Sequence, residues 1–432
     1  MVRTDSGISG IKDYKGAKDL LLCADGTPLK QRIKKAERAQ KIRAALLVLP
    51  LLGFIVLTFI MPIGSMLMRS IDNSIVPNTL PRTVVALKTW DSRRDTLPDE
   101  TVYHAFAHDL LEAKAARKHS RVGSRLNYEQ SGASSLFRKT GRKVTKFDFE
   151  APLKPQLIEA DKGWGKPEIW RSIQIYSKPY TSGYYATAID LKLTSDGYTS
   201  VGEDRAIYIK LFTRTFFMSL LITLLCFVIG YPLAYLLSIL PMRTSNLLMI
   251  LVLLPFWTSL LVRTSAWKVL LQEQGVINDL LVWLGLIADH ARLQLINNQT
   301  GTVIAMTHIL LPFMILPLYS VMKTISPSYM RAARSLGATN FYAFWRVYFP
   351  NTIAGVGAGA ILVFILAIGY YITPELVGGQ SGTFISNRIA YHISSSLNWG
   401  LGAALGAILL FAVLILYWLY DRIVGIDNMK LG

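Results

Sequence analysis

The side chains able to do chemistry in this sequence are the few ionisable and aromatic ones in or beside its long apolar runs. His308 is the one ionisable group well inside such a run. An ionisable group held in lipid is a functional candidate, and a neutral imidazole bridging two helices by a hydrogen bond is the competing reading. Trp257, Tyr370, Tyr371 and Glu375 sit near ends of other apolar runs. Aromatic faces with a single carboxylate could grip a cationic ligand or form a gate, whereas an interfacial aromatic belt is the ordinary role of such residues. Arg263 reads as an interfacial anchor. No Gly-x-x-x-x-Gly-Lys-Ser/Thr phosphate cradle occurs, and the apolar runs hold neither His-Glu-x-x-His nor Gly-x-Ser-x-Gly. The two cysteines, Cys23 and Cys226, suit neither a disulfide nor a metal cage. The expectation is therefore no catalytic residue and no metal ligand, and a chain that is not an enzyme.

A second group of residues points to mechanical work. Ser326 to Val356 reads SPSYMRAARSLGATNFYAFWRVYFPNTIAGV, too polar to span a membrane and too long for a tight turn. Helix formers fill Tyr329 to Leu336, Gly337 breaks the run, and an amphipathic turn with Phe341, Phe344 and Trp345 leads to Pro350. Ala332 and Ala333 leave the backbone nearly bare, and Gly337 permits a sharp change of direction. Two short helices meeting at an angle make a knob shaped for a groove on another protein.

The elements that must carry these residues are membrane helices. Of 432 residues 52% are hydrophobic, more than a soluble core of this size holds. About 20 apolar residues cross a bilayer as helix, since each amide must be satisfied within its own segment. Six windows qualify: Ala44 to Met68, Thr215 to Leu240, Leu247 to Val262, Gly301 to Val321, Thr352 to Ile372 and Trp399 to Tyr420. The net charge of +18 is split by these windows, so it forms no continuous face for nucleic acid and suits anionic lipid headgroups instead.

Lys30, Arg32, Lys34, Lys35, Arg38, Lys41 and Arg43 precede the first window and fix the amino terminus in the cytoplasm. Ile33, Ala36, Ala39 and Ile42, three apart among them, suit a helix lying on the inner leaflet, with a plain charged anchor as the alternative. The first forty residues carry no apolar core ahead of a cleavage site, so a removable signal is not expected. Six crossings return the carboxyl terminus to the cytoplasm and put the knob there too. The stretch 69–209 then faces outside; loops of more than about 60 residues escape the charge rule. Within it Tyr103 to Lys118, with Phe106, Leu110, Leu111 and Ala115, predicts a helix, and aromatic, β-branched Ile173 to Tyr198 predicts short strands.

At the knob the sequence resembles the coupling-loop signature of binding-protein-dependent ABC importer permeases: Glu-Ala-Ala, three residues, Gly, nine residues, Ile-x-Leu-Pro. Ala332, Ala333, Gly337, Val347, Phe349 and Pro350 keep every interval, while Arg331 reverses the charge of the signature's Glu. Over about half the chain, GYPLAYLLS (Gly230 to Ser238), LPFWTSLLVRTSAW (Leu254 to Trp267), THILLPFMILPLY (Thr307 to Tyr319) and ITPELVGG (Ile372 to Gly379) look like the spermidine/putrescine-type branch, in the first of its two permease subunits. That branch usually carries an acid shortly before the Thr-Pro, where this chain has Tyr370 and Tyr371.

The resemblance implies the type I importer fold. The apolar windows and the composition of 69–209 add the expectation of an all-α polytopic protein with six transmembrane helices and a small α+β extracytoplasmic insert between the first two, an insert larger than that branch usually carries. The expected divisions are a cytoplasmic leader 1–43, a first span 44–68, the insert 69–209, a five-helix core 210–425 containing the coupling loop 326–352, and a cytoplasmic tail 426–432. Arg331, Ala332, Ala333, Gly337, Ala338, Phe341 and Pro350 would contact the ATPase; Trp257, His308, Tyr370, Tyr371 and Glu375 would border the substrate path. Two copies of an ABC ATPase, which hold the ATP and magnesium this chain does not bind, a second permease subunit, an extracytoplasmic binding protein and membrane lipids are the implied partners. The implied work is import of a polyamine-like solute across the bacterial inner membrane by alternating access. An opine or other small solute is the alternative. A stand-alone secondary transporter is the reading from another class, and it would show internal repeats and charged spans. Gly355 and Gly359, then Gly402 and Gly406, allow helices to approach closely. Pro312 and Pro317 free carbonyls or merely kink their helix.

Overall fold

The computed structural model describes residues 29–424; most of the leader 1–43, up to residue 28, and the tail 426–432 lie outside the described residues. The interfacial helix expected from Lys30 falls within helix Leu29–Ile55, but the side chains of Ile33, Ala36 and Ala39 are outside the description. The chain divides into two compact units, Met1–Met66 and Leu67–Gly432. The first holds most of a 30-residue apolar helix, Gln40–Arg69, whose best window has a mean hydropathy of 2.7. One wide π turn, Val56–Ile60, interrupts its regular winding.

The second unit begins with the insert, and here the expected mixture of helices and strands gives way to helices. Nine-residue Pro167–Ile175 occupies the start of the stretch predicted as strands. Pro167 opens it at a position where a missing N–H costs nothing, and Ile169, Trp170, Ile173 and Tyr176 recur at helical intervals on one buried face. Tertiary packing of that face overrides the strand preference of the β-branched residues. Strand remains in a single hairpin, Leu191–Thr194 against Gly197–Ser200, with Leu191 opposite Ser200 and Thr194 opposite Gly197.

An aromatic core holds the insert together. Helix Glu100–Ala115 presents Tyr103, Phe106, Ala107 and Leu110 to it, all fully buried, while Ala115 stays exposed. Phe106 stacks 4.3 Å from Trp164 and meets Phe137 and Trp170 edge-on. Polar edges at its centre are satisfied: Trp164 Nε1 donates to Thr140 Oγ1 at 2.7 Å, and Tyr103 donates to the Trp164 carbonyl at 2.8 Å. Helix Gly183–Ala188, just before the hairpin, packs Tyr184 and Ala188 with Leu401, Ala404 and Leu405 of the last membrane helix.

Four further helices are long and apolar enough to cross a membrane: Tyr208–Ile239, Gln299–Thr324, Asn340–Gly369 and Trp399–Arg422. With Gln40–Arg69 they make five among the described residues, and six if a bent pair counts as one. That pair replaces the continuous span expected over Leu247 to Val262: Met242–Trp257 and Leu260–Leu270 meet at 97°. Pro255 brings no N–H to continue the first helix, and the Ser259 hydroxyl accepts from Val262 N at 3.2 Å, which starts the second in a new direction.

Gln299–Thr324 is the centre of the bundle, with 67% of its apolar window buried against 33% for Tyr208–Ile239 and Trp399–Arg422. It runs unbroken through Pro312 and Pro317. A Cβ on Gly355 would sit 3.1 Å from the Pro317 carbonyl, and one on Gly359 would sit 2.7 Å from Met314 Sδ. Absence of side chains there lets Phe349–Gly369 lie directly on the central helix. Gly402 contacts Ile393 in the same manner, whereas Gly406 has open space around it.

Candidate functional site

The knob is built by local backbone chemistry. Ser326 caps helix Pro327–Ser335 by accepting from Ser328 N, and Pro327 takes the first helical position. At the other end Gly337 adopts φ +88°, Gly337 N donates to the Arg334 carbonyl at 3.0 Å, and Ala338 N donates to Ala333 O at 3.1 Å. This paired closure needs a left-handed residue, and glycine supplies it without strain. Thr339 Oγ1 then caps Asn340–Ala343 by accepting from Tyr342 N.

An open concavity of about 510 Å³ lies between the two helices, lined by Ala333, Leu336, Gly337, Ala338, Thr339, Tyr342, Ala343 and Val347. Leu336 is 89% exposed and Phe341 76% exposed. Arg331, Ala332 and Pro350 are exposed too. The knob thus carries its own apolar concavity beside projecting apolar side chains.

An aromatic column joins the knob to the bundle, and sequence reasoning missed it. Tyr231 and Tyr235, one turn apart on Tyr208–Ile239, meet Phe344, Tyr348 and Phe349 at ring separations of 5.2 to 6.1 Å. Tyr231 and Thr352 share a hydrogen bond at 3.2 Å. Two four-residue spacings, 231/235 and 344/348, were the available signal.

The proposed substrate-path residues divide. Tyr370 ends helix Phe349–Gly369 and Tyr371 begins Ile372–Val377, so a break falls between them. Helix Ile385–Ser394 stitches this break: Ser386 Oγ donates to the Tyr370 carbonyl at 2.6 Å, and Asn387 Nδ2 donates to the Tyr371 carbonyl at 2.8 Å and to Glu375 Oε2 at 2.6 Å. The carboxylate of Glu375 is therefore tied back to its own scaffold. His308 bridges two helices, its Nδ1 accepting from Trp267 Nε1 at 3.1 Å. That acceptance puts the proton of the neutral ring on Nε2. Trp257 stands apart, 77% exposed, with no hydrogen bond or ring contact to the other four among the described residues.

Both broken elements meet at Thr264 and Thr373, whose hydroxyls lie 3.1 Å apart. Arg263, one residue away and read from the sequence as an interfacial anchor, has its Nε and Nη1 buried with no hydrogen-bond partner among the described residues. His308 and Tyr370 both lie within its electrostatic reach. Only the fold brings these groups together, since they are separated by 45 and 62 residues in sequence.

Residues 206–425 match the family described as binding-protein-dependent transport system inner membrane component. The chain belongs to this family of ABC importer permeases, and is a multi-pass inner-membrane permease rather than an enzyme. The spermidine/putrescine transport system permease protein PotB of Escherichia coli (strain K12) is 34% identical over 243 residues, 56% of this chain and 87% of that one. PotB of Haemophilus influenzae is 34% identical over 249 residues, 58% of this chain and 84% of that one. Among solved structures, a chain of a bacterial alginate ABC transporter in complex with alginate pentasaccharide-bound periplasmic protein aligns with a TM-score of 0.43 at 17% identity, covering 52% of this chain and 80% of that one.

Proposed function

We propose that this chain is one membrane-spanning half of an ATP-driven importer for a small organic solute, worked by separate ATPase subunits gripping the knob at 327–348. The observation that carries this reading is the Gly337 closure, which holds an apolar concavity of about 510 Å³ and a Leu336 side chain 89% exposed. In this reading both termini and the knob face the cytoplasm, 69–209 faces outward, and ATP and magnesium reside on the partner. Residues 331–350 would pass the ATPase motion to the bundle through the aromatic column at Tyr231 and Tyr235. A second permease subunit and a binding protein complete the assembly.

The names of the PotB relatives point to a polyamine-like solute. A second reading, an opine-like or other carboxylate-bearing solute, is favoured by the bare Arg263 and by tyrosines at 370 and 371. Purification of the tagged chain in mild detergent tests the importer reading. An ATPase and a second permease are expected to co-purify; a chain that comes down alone, with solute flux intact in liposomes, is a solitary carrier instead.

A further inference from the structure

We infer that Arg263 is a carboxylate-binding residue of the translocation path, and that the transported solute presents that carboxylate. The inference rests on the importer reading above and narrows its substrate class. Two guanidinium nitrogens, Nε and Nη1, are buried with no acceptor, and among the described residues the side chain makes no hydrogen bond or ion pair at all. Burying two donor nitrogens of a partly exposed guanidinium without an acceptor is costly, and more so in a bilayer, so their persistence marks a site that is completed by something else.

The surroundings specify what completes it. Arginine's planar fork fits a carboxylate bidentately. His308 has its Nδ1 engaged by Trp267, which leaves Nε2–H as a further donor in the same neighbourhood. Glu375, the acid on the adjoining broken element, is occupied by Asn387, and position 370 carries a tyrosine rather than a carboxylate that would cancel the charge. The apolar windows contain no Asp or Glu. The site lies where two broken helices touch, at Thr264 and Thr373, the kind of junction at which transporters hold solutes near mid-membrane. A polyamine, with ammonium groups alone, meets repulsion here.

The test uses the whole complex in proteoliposomes and three solutes of equal chain length: putrescine, 5-aminopentanoate and adipate. Uptake and solute binding by the complex are measured for wild type, Arg263→Gln, Arg263→Lys and Tyr370→Asp. Wild type is expected to favour one or both carboxylated solutes over putrescine by at least about tenfold, because a site built for hydrogen bonds rejects an analogue lacking the partner. Arg263→Gln and Tyr370→Asp should each erase that preference, the first by removing the fork and the second by occupying it; Arg263→Lys should keep part of it. Wild-type preference for putrescine overturns the inference, as does a preference unchanged in Arg263→Gln. Release of the second permease from Arg263→Gln also overturns it, assigning the missing carboxylate to that subunit. Each of these outcomes leaves the importer reading standing if the ATPase still co-purifies, so the two failures are distinct.

Discussion

Two arginines, Arg125 buried and Arg263 partly so, set the insert against the membrane core. Arg125 of the insert donates from Nε to Asn73 Oδ1 at 3.0 Å and from Nη1 to Glu129 at 2.9 Å, and its guanidinium lies between the rings of Tyr176 and Tyr184 at 4.6 and 4.4 Å. Its charge is matched within one helical turn, and only Nη2 is left over. Arg263 has no hydrogen bond or ion pair among the described residues. The insert closes its own chemistry; the core holds chemistry open for molecules it meets. An arginine of the first sort is a structural rivet, and loss of the second should be felt in transport rather than in folding.

Substitutions can break this contrast, and the largest effect on stability is expected at the rivet. Arg125→Ala strands Glu129, whose side chain is 8% exposed, as a buried unpaired charge, and should destabilise the insert by about 3–5 kcal/mol. Near-ultraviolet circular dichroism of the tryptophan core during urea unfolding reads this directly. An unchanged midpoint would erase the distinction.

A smaller effect is expected where the insert approaches the last membrane helix. His392 hydrogen-bonds Tyr208 at 3.0 Å and Ser396 at 2.9 Å, and burial, with the charge of Arg388 adding to it, pulls its pKa from 6.5 down to about 4. The native ring is neutral, so its contribution is complete above about pH 6.5 and fades as pH falls toward 4. Roughly 2 kcal/mol should be lost across that window once partial exposure is allowed for. Thermal unfolding in detergent against pH should lose this slope in His392→Gln.

At the knob the balance reverses. Gly337→Asp forces a side chain onto φ +88°, with nothing within 4 Å to collide with, and should cost about 1 kcal/mol. Insertion and folding survive while uptake collapses and ATP hydrolysis runs uncoupled; normal uptake by this variant would end the coupling-loop reading. Smallest of all is Arg263→Gln, which removes a desolvated charge with no partner to lose. Its stability should hold, or rise by up to about 1 kcal/mol, in the same detergent assay.

Legibility in the sequence follows the range of the interactions involved. Apolar windows and the Gly337 turn depend on neighbours a few residues away, so the long helices and the knob could be read directly. Ile173 to Tyr198 misled because β-branched composition outweighed the three- and four-residue spacing of Ile169, Trp170, Ile173 and Tyr176, a spacing that only the aromatic core rewards. The bend at Thr258 had a local signal in Pro255 and Ser259, which the apolar average over Leu247 to Val262 concealed. The state of Arg263 had no local signal. Its isolation is a fact about Thr373, Tyr370 and His308, which lie on other helices.

A Cβ on Gly400 would collide with the ring of Tyr184. With the tyrosine seated in that notch, and Tyr128 reaching the Ser396 carbonyl at 3.2 Å beside it, the insert is pinned to the top of Trp399–Val424. A molecule that leans on the insert therefore leans on that helix as well, and a fluorescent pair on the insert would register every tilt the helix makes.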